Sequence, residues 1–192
     1  MKKQAEAYLP TIFGNFRILV YADTPDEMMP HVALVHEDFD YRKNTTVRIH
    51  SECMTGDIFG SKKCDCGEQL HASLMMIGKQ KGVLIYLRQE GRGIGLINKI
   101  KAYQLQEKGL NTIDANTHLG FEADVRQYNA ATHILNDLQL KKINLITNNP
   151  LKIAALENAG FEITERIALD IEPNSDNFNY FETKKVFMGH FL

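Results

Sequence analysis

The chain is 192 residues long, 44% hydrophobic, with a formal net charge of −2. That length suits one ordinary domain, and the composition fills a core without disulfide staples. The weak acidity argues against a general nucleic-acid binder. No apolar run approaches the ~20 residues of a membrane span, and the N-terminal MKKQAEAYLPTIFGNF has no signal-peptide core. The expectation is a soluble protein of a reducing compartment, the cytoplasm, with neither membrane nor nucleic acid as partner.

In chain order, FRILVYA (16–22), HVALVH (31–36) and TVRIH (46–50) predict strands, separated by the turn-rich DTPDEMMP and EDFDYRKN. Leu70, Leu74 and Ile77 recur at helical spacing in GEQLHASLMMIGKQ, and VLIYL (83–87) predicts a buried strand. GIGLINKIKAYQLQEKG predicts a helix from about Leu96, closed by Gly109. In EADVRQYNAATHILNDL, the residues Val125, Tyr128, Ala131, Leu135 and Leu138 share one helical face. INLIT (143–147) predicts a strand, and NNPLKIAALENAG a helix capped by Asn149, with Pro150 at its first position and Gly160 as terminator. FEITERIAL predicts another strand and NYFETKKVFMGHF a last helix. Together these predict an α/β fold, a single domain over residues 1–192. Its sheet is mixed and mostly parallel, with helices on both faces and antiparallel N-terminal strands.

All the cysteines, Cys53, Cys64 and Cys66, lie in HSECMTGDIFGSKKCDCGEQLH. An odd, clustered count in such a chain points to metal or thiol chemistry rather than a disulfide framework. Cys64 and Cys66 are close enough to bite one ion, and Cys53 can return across the loop to it. Thiolates favour zinc, and three protein ligands leave the fourth position of a catalytic site. Lys62 and Lys63 would favour the thiolates. Two alternatives stay open: His50 or His71 closes the site and makes it structural, or the thiols form a redox pair. His50-Ser51-Glu52 beside cysteines is similar to the zinc deaminase signature, but KKCDCG does not continue that pattern.

Lys79, Lys81, Arg88, Arg92, Lys99, Lys101 and Lys108 form a basic segment against only Glu90 and Glu107. Within it, LRQEGRGIGLINK joins a strand to a helix, with Gly91, Gly93 and Gly95 for close backbone approach and Arg88 and Arg92 as cations. It is neither a dinucleotide fingerprint nor a Walker motif. TNNPLK is a second strand-to-helix turn, where Thr147 and Lys152 could meet an anion; Lys152 in a first turn opposes the helix dipole.

In order along the chain, LPT.FG.F, RIHSEC, CDCG..L, RQEGRGIGL..K..AY.LQ..G, T..AN..LGF..D.R, TNNP.K and the terminal FMGH resemble the GTP cyclohydrolase II family. The resemblance implies a zinc enzyme of the first step of riboflavin biosynthesis. Such an enzyme opens the guanine imidazole ring of GTP, releases formate and diphosphate, uses Mg²⁺ with the triphosphate and is a homodimer. With few residues ahead of LPTIFG, it implies a monofunctional chain. It places zinc, one ion per chain, on Cys53, Cys64 and Cys66. It places GTP on Arg48, Ile49, His50, Ser51, Glu52, Gln69, Glu90, Gly91, Arg92, Thr112, Thr147 and Lys152. It makes Asp124 a proton acceptor, Arg126 a nucleophile and Tyr103 an active-site tyrosine. For Arg126 a purely cationic role stays open, because a protonated guanidinium has no lone pair to give. Residues two apart on a helix diverge by roughly 200°, so joint action of Asp124 and Arg126 predicts a non-helical FEADVRQ. Two rival functions remain: a zinc-dependent purine deaminase or amidohydrolase, and a non-catalytic zinc module that binds nucleotide.

Overall fold

A computed structural model describes residues 1–122, 124–187 and 189–191, the side chains of Asn179 and Phe187 excepted. The chain divides into two compact units, each assembled from three separate stretches. The first holds Met1–His50, Leu70–Arg88 and Tyr128–Leu169; the second holds Ser51–Gln69, Gln89–Gln127 and Asp170–Leu192.

The first unit is built on a seven-stranded sheet. Its strands are β1 (Lys2–Thr11), β2 (Gly14–Ala22), β3 (His31–His36), β4 (Thr45–Ser51), β5 (Val83–Leu87), β6 (Lys142–Ile146) and β7 (Glu162–Ile167), in the order β1-β2-β3-β5-β4-β6-β7. β1–β2, β2–β3 and β3–β5 pair antiparallel, and β4–β6 and β6–β7 pair parallel. The sheet is mixed with antiparallel N-terminal strands, as expected. Parallel pairings run through β4-β6-β7. One strand adds to the expected set: β1, whose exposed, mixed sequence KKQAEAYLPT gives no strand signal, forms a long antiparallel edge.

Alternation along the strands feeds two apolar layers. Ala33, Val35, Val83, Ile85, Leu87, Ile143 and Leu145 join one cluster with Ala131, Ile134 and Leu135 of α5 (Asn129–Asp137) and Leu156 of α6 (Pro150–Asn158). The intervening Leu34, Leu84 and Ile146 join the other, with Leu70, Leu74 and Ile77 of α2 (Cys66–Gln80). Period-2 strands between period-3.6 helices thus place helices on both faces. α6 starts as its sequence predicts, with the Asn149 side chain accepting the Leu151 N–H and Pro150 in the first turn.

The second unit contains α1 (Met54–Asp57), the first turn of α2, α3 (Gly95–Gln106), α4 (Thr112–His118) and α7 (Phe178–Glu182), which runs on into a wide turn at Thr183–Phe187. Both apolar clusters among the described residues belong to the first unit; charged and polar pairs described below hold the second. One helix starts later than its apolar spacing predicts. The described residues among 121–128 are not helical, and α5 begins only at Asn129. Met188 of the FMGH motif lies outside the described residues. Among the described residues, no helix is long and apolar enough to cross a membrane.

Candidate active site

Cys53 precedes α1, Cys64 sits in the turn before α2, and Cys66 opens α2. Their three sulfurs lie within 4.8 Å of one another. Cys53 and Cys64 sulfurs are 3.6 Å apart, far beyond the ~2.05 Å of a disulfide. Two thiolates on one zinc, each about 2.3 Å from it at a tetrahedral angle, sit ~3.8 Å apart. The donor set therefore fits zinc. No histidine belongs to the cluster among the described residues; the His50 ring stacks on Tyr86 and the His71 ring meets Phe13 edge-on. Contacts from Cys64 and Cys66 hold the Cys53 thiol well below the usual cysteine range, and Lys99 adds to this against the effect of burial. The Cys53 sulfur in turn pushes Cys64 up to about 11 and Cys66 well above its usual value. The three sulfurs thus oppose one another's ionisation, and holding all three as thiolates requires a cation.

The loop is folded tightly enough that side chains are excluded at its crossing. A β-carbon at Gly67 would lie 2.3 Å from the Gly56 carbonyl oxygen. We expect Gly67→Ala to destabilise the chain by about 1–3 kcal/mol and to weaken zinc binding, measured by denaturant unfolding and chelator competition; unchanged values for both would refute this packing role.

Lys99 of α3 reaches the cluster from the other side. Its ammonium donates to Cys53 Sγ (3.0 Å), Thr55 Oγ1 (2.9 Å) and Glu90 Oε1 (2.8 Å). Burial alone would favour neutral Lys99, but the Cys53 and Glu90 charges prevail and hold it charged. Glu90 also accepts the Gly91 N–H at 2.7 Å and, through Oε2, the Met54 N–H at 2.6 Å. It thereby ties the cysteine loop to the glycine-rich turn Glu90–Gly93. In that turn Arg92 adopts φ 62° and ψ 31°, a left-handed conformation uncommon for a residue with a β-carbon. Among the described residues its buried Nη1 has no hydrogen-bond partner, and its guanidinium faces the Tyr180 ring at 5.6 Å. Next to it, a β-carbon at Gly93 would come within 2.8 Å of Val125 Cγ2, and the Val125 N–H donates to the Arg92 carbonyl.

That contact holds residues 124–127 in a non-helical path, which brings Asp124 and Arg126 together. Arg126 donates Nε to Asp124 Oδ1 at 2.8 Å, its Nη2 to Oδ2, and its backbone N–H to Oδ1 at 3.1 Å. Burial opposes the Asp124 charge, but Arg126 outweighs it and keeps the carboxyl below its usual range. A cavity of about 570 Å³ lies within this unit. The three cysteines, Glu52, Glu90, Arg92, Lys99, Tyr103, Thr112, Arg126 and Tyr180 are among the residues that line it. Burial raises the Tyr103 hydroxyl above the usual tyrosine range, so it is a proton donor at neutral pH. Lys63 does not touch sulfur; it bonds Glu107 at 3.1 Å over the Tyr103 ring.

The C-terminal stretch fastens the same loop. Lys184 Nζ contacts Asp65 Oδ1 at 2.5 Å, with side-chain exposures of 7% and 1%, and Gln69 Nε2 donates to Asp65 Oδ2 at 2.5 Å. Asp65 lies between two of the cysteines. We expect Lys184→Met to cost about 3–5 kcal/mol, because it leaves a buried carboxylate unpaired. Asp65→Asn/Lys184→Met should recover a large part of that loss. Urea unfolding of both variants checks it; a loss under 1 kcal/mol in Lys184→Met would show the pair to be dispensable.

The remaining expected substrate residues, Arg48, Ile49, His50, Thr147 and Lys152, belong to the first unit. They are buried and knit into its backbone. Lys152 Nζ donates to the Ile49 carbonyl at 2.7 Å, Arg48 Nη1 donates to the Ile146 carbonyl at 3.1 Å, and Thr147 Oγ1 accepts the Asn149 N–H at 3.0 Å. Ser51, in the second unit, accepts from Gln89 Nε2 at 2.8 Å.

Comparison with known proteins bears on this cavity. The family model described as GTP cyclohydrolase II matches residues 2–168. The chain belongs to the GTP cyclohydrolase II family. It is 50% identical over 191 residues to "Riboflavin biosynthesis protein RibBA" of Bacillus mycoides, covering 99% of this chain and 48% of that protein. It is 49% identical over 193 residues to the protein of the same name from Chlorobium phaeovibrioides, covering 100% and 47%. The chain thus spans about half the length of the curated relatives it matches. RibBX, solved as a two domain 3,4-dihydroxy-2-butanone 4-phosphate synthase from A. baumannii, aligns with a TM-score of 0.45 at 20% identity, covering 89% of this chain and 40% of that one. In this GTP cyclohydrolase II family member, three side chains of the site had no role assigned from the sequence. Lys99 and Asp65 stand at fixed positions of RQEGRGIGL..K and CDCG..L, but a lysine there also suits a solvated helix face, and its burial is what singles Lys99 out. Asp65 and Lys184 are 119 positions apart, and no local pattern links them.

Proposed function

We propose that this chain is a GTP cyclohydrolase II. It hydrolyses GTP to formate, diphosphate and 2,5-diamino-6-ribosylamino-4(3H)-pyrimidinone 5′-phosphate, the first step of riboflavin biosynthesis. The observation that carries the reading is one cavity lined by both a three-thiol metal cluster and the guanidinium groups of Arg92 and Arg126. Metal-assisted hydrolysis and the handling of a polyanion need these two kinds of group side by side. Cys53, Cys64 and Cys66 hold one zinc ion, which when bound supplies Lewis-acid activation of water at neutral pH. Tyr103 and Glu52 line the metal side of the cavity and carry protons to and from the imidazole ring of the substrate. Arg92, its Nη1 without a hydrogen-bond partner among the described residues, takes a phosphate oxygen, Thr112 lines the same cavity, and Gln69 carries over as a substrate residue from family likeness. Thr147, Lys152 and the 48–50 segment carry over as substrate residues from family likeness. Mg²⁺ accompanies the triphosphate, the chain works as a homodimer in the cytoplasm, and residues 1–192 act as a single catalytic domain.

For Arg126 the geometry favours the cationic role. Transfer of a proton from a guanidinium to a carboxyl held below its usual range spans roughly 10 pKa units, about 14 kcal/mol at 1.36 kcal/mol per unit. Asp124 therefore orients Arg126 against the departing diphosphate rather than converting it into a nucleophile. The test of the function is direct. Zinc-loaded protein is incubated with GTP and Mg²⁺, with and without chelator, and formate, diphosphate and ammonia are assayed. Formate and diphosphate should appear and be lost with chelator. Ammonia in place of formate would establish a deaminase, and no product would leave a binding module.

A further inference from the structure

We infer that Lys99 is a positioning residue of the metal centre, donating to the Cys53 sulfur from outside the ligand set and so setting how firmly that sulfur holds zinc. The inference rests on reading the three sulfurs as a zinc site, and it adds to that site a residue outside its ligands.

An ammonium group has three N–H donors. Those of Lys99 meet three acceptors, Cys53 Sγ at 3.0 Å, Thr55 Oγ1 at 2.9 Å and Glu90 Oε1 at 2.8 Å. The side chain is 10% exposed and that of Glu90 8%. With its donors engaged inside the protein, Lys99 has none to offer a phosphate, although it lines the cavity and lies in the basic segment. Its role is set by charge. Three thiolates around a divalent cation carry a net charge of −1, which is costly to bury alone. Lys99 supplies the opposing charge in contact with one of the sulfurs. An N–H donated to a thiolate also draws electron density from it. Alone, that would loosen the sulfur's hold on the metal; compensation of the buried negative charge acts the other way and sets the sign of the affinity change expected on removing Lys99.

Glu90 makes the arrangement rigid. One carboxylate oxygen holds the Lys99 ammonium, and the other accepts the N–H of Met54, the residue after Cys53, at 2.6 Å. Lys99 and Glu90 therefore grip Cys53 through both its sulfur and the adjoining backbone. Partners of this kind, outside the ligand set, change metal affinity by about 10–100-fold when removed.

The test measures metal binding without substrate. Zinc affinity is determined by competition with a chromophoric chelator for the wild-type chain and for Lys99→Met, Lys99→Gln and Lys99→Arg. The cobalt-substituted proteins are compared by their sulfur-to-cobalt charge-transfer absorption. We expect Lys99→Met to lose about 10–100-fold in zinc affinity and its charge-transfer band to move to lower energy, because a sulfur without its donor holds its electrons less tightly. Lys99→Arg, which keeps charge and donors, should restore most of both. A folded Lys99→Met with wild-type affinity and an unmoved band overturns the inference. If Lys99→Met does not fold, Lys99→Gln decides through affinity: it retains donors but no charge, and wild-type zinc affinity there would overturn the inference. The outcomes stay separable from the proposed function. A wild-type chain that binds zinc but releases no formate defeats the function alone, and an unaltered metal centre in the Lys99 variants defeats this inference alone.

Discussion

Cys64→Ser is expected to lose bound zinc and formate release together. A serine hydroxyl does not ionise near neutral pH and is a poor match for the soft, thiolate-binding cation. The Cys64 sulfur lies 3.6 Å from that of Cys53, and a β-carbon at Gly56 would come within 2.9 Å of it. No other described side chain stands ready to replace it among potential ligands. Zinc acidifies bound water by roughly nine pKa units, so formate release should fall by about three orders of magnitude or more. Bound zinc is measured by elemental analysis of the purified variant and formate by a coupled assay. Far-ultraviolet circular dichroism should stay unchanged, since the sheet and both apolar clusters lie in the first unit. A Cys64→Ser protein that keeps its zinc and full ring opening would remove these sulfurs from the active site.

Arg126→Ala should release diphosphate about 10³-fold more slowly, within the range by which an arginine stabilises phosphoryl-transfer charge. Zinc binding should be untouched, because Arg126 pairs with Asp124 rather than with sulfur. Arg126→Lys should recover about tenfold of that loss: it restores a point charge without the two-pronged fit to carboxylate and phosphate. Asp124→Asn should fall between them, since it leaves the guanidinium charged but unoriented. Diphosphate and formate are followed separately in single-turnover mixtures. The opposing outcome is specific: a nucleotidyl adduct on Arg126, seen as added mass on the intact chain during turnover, would make the arginine a nucleophile and overturn its cationic role.

The metal cluster was legible in the sequence because cysteine is rare and this chain keeps all of it in one loop. The central strands were legible for a different reason. Residues such as Val83, Ile85 and Leu87 alternate with Leu84 and Tyr86 between two apolar layers, which leaves a continuous apolar run. β1 was not legible, since an edge strand facing water needs no apolar face. The helix containing Ala131 and Leu135 was extended too far back by the apolar spacing of Val125 and Tyr128. Val125 fits that face, but its side chain packs at Gly93 and its N–H goes to Arg92. That displacement is what lets Asp124 and Arg126 meet. Lys99 and Asp65 were visible as motif letters, but their contacts, and the pairing of Asp65 with Lys184, were not, because lysine in a sequence gives no sign of whether its ammonium ends in water or on a buried acid.

Arg92 has a consequence of another kind. Its left-handed backbone costs a residue with a β-carbon about 1–2 kcal/mol, which glycine, already its neighbour on both sides, would not incur. The fold and the reaction therefore rank the amino acids at this position in opposite orders. Laboratory evolution for heat tolerance alone would drift toward Arg92→Gly and yield a hardier, poorer catalyst. Evolution for turnover would hold the arginine and accept a softer turn. Position 92 is where this chain's robustness and its usefulness pull apart.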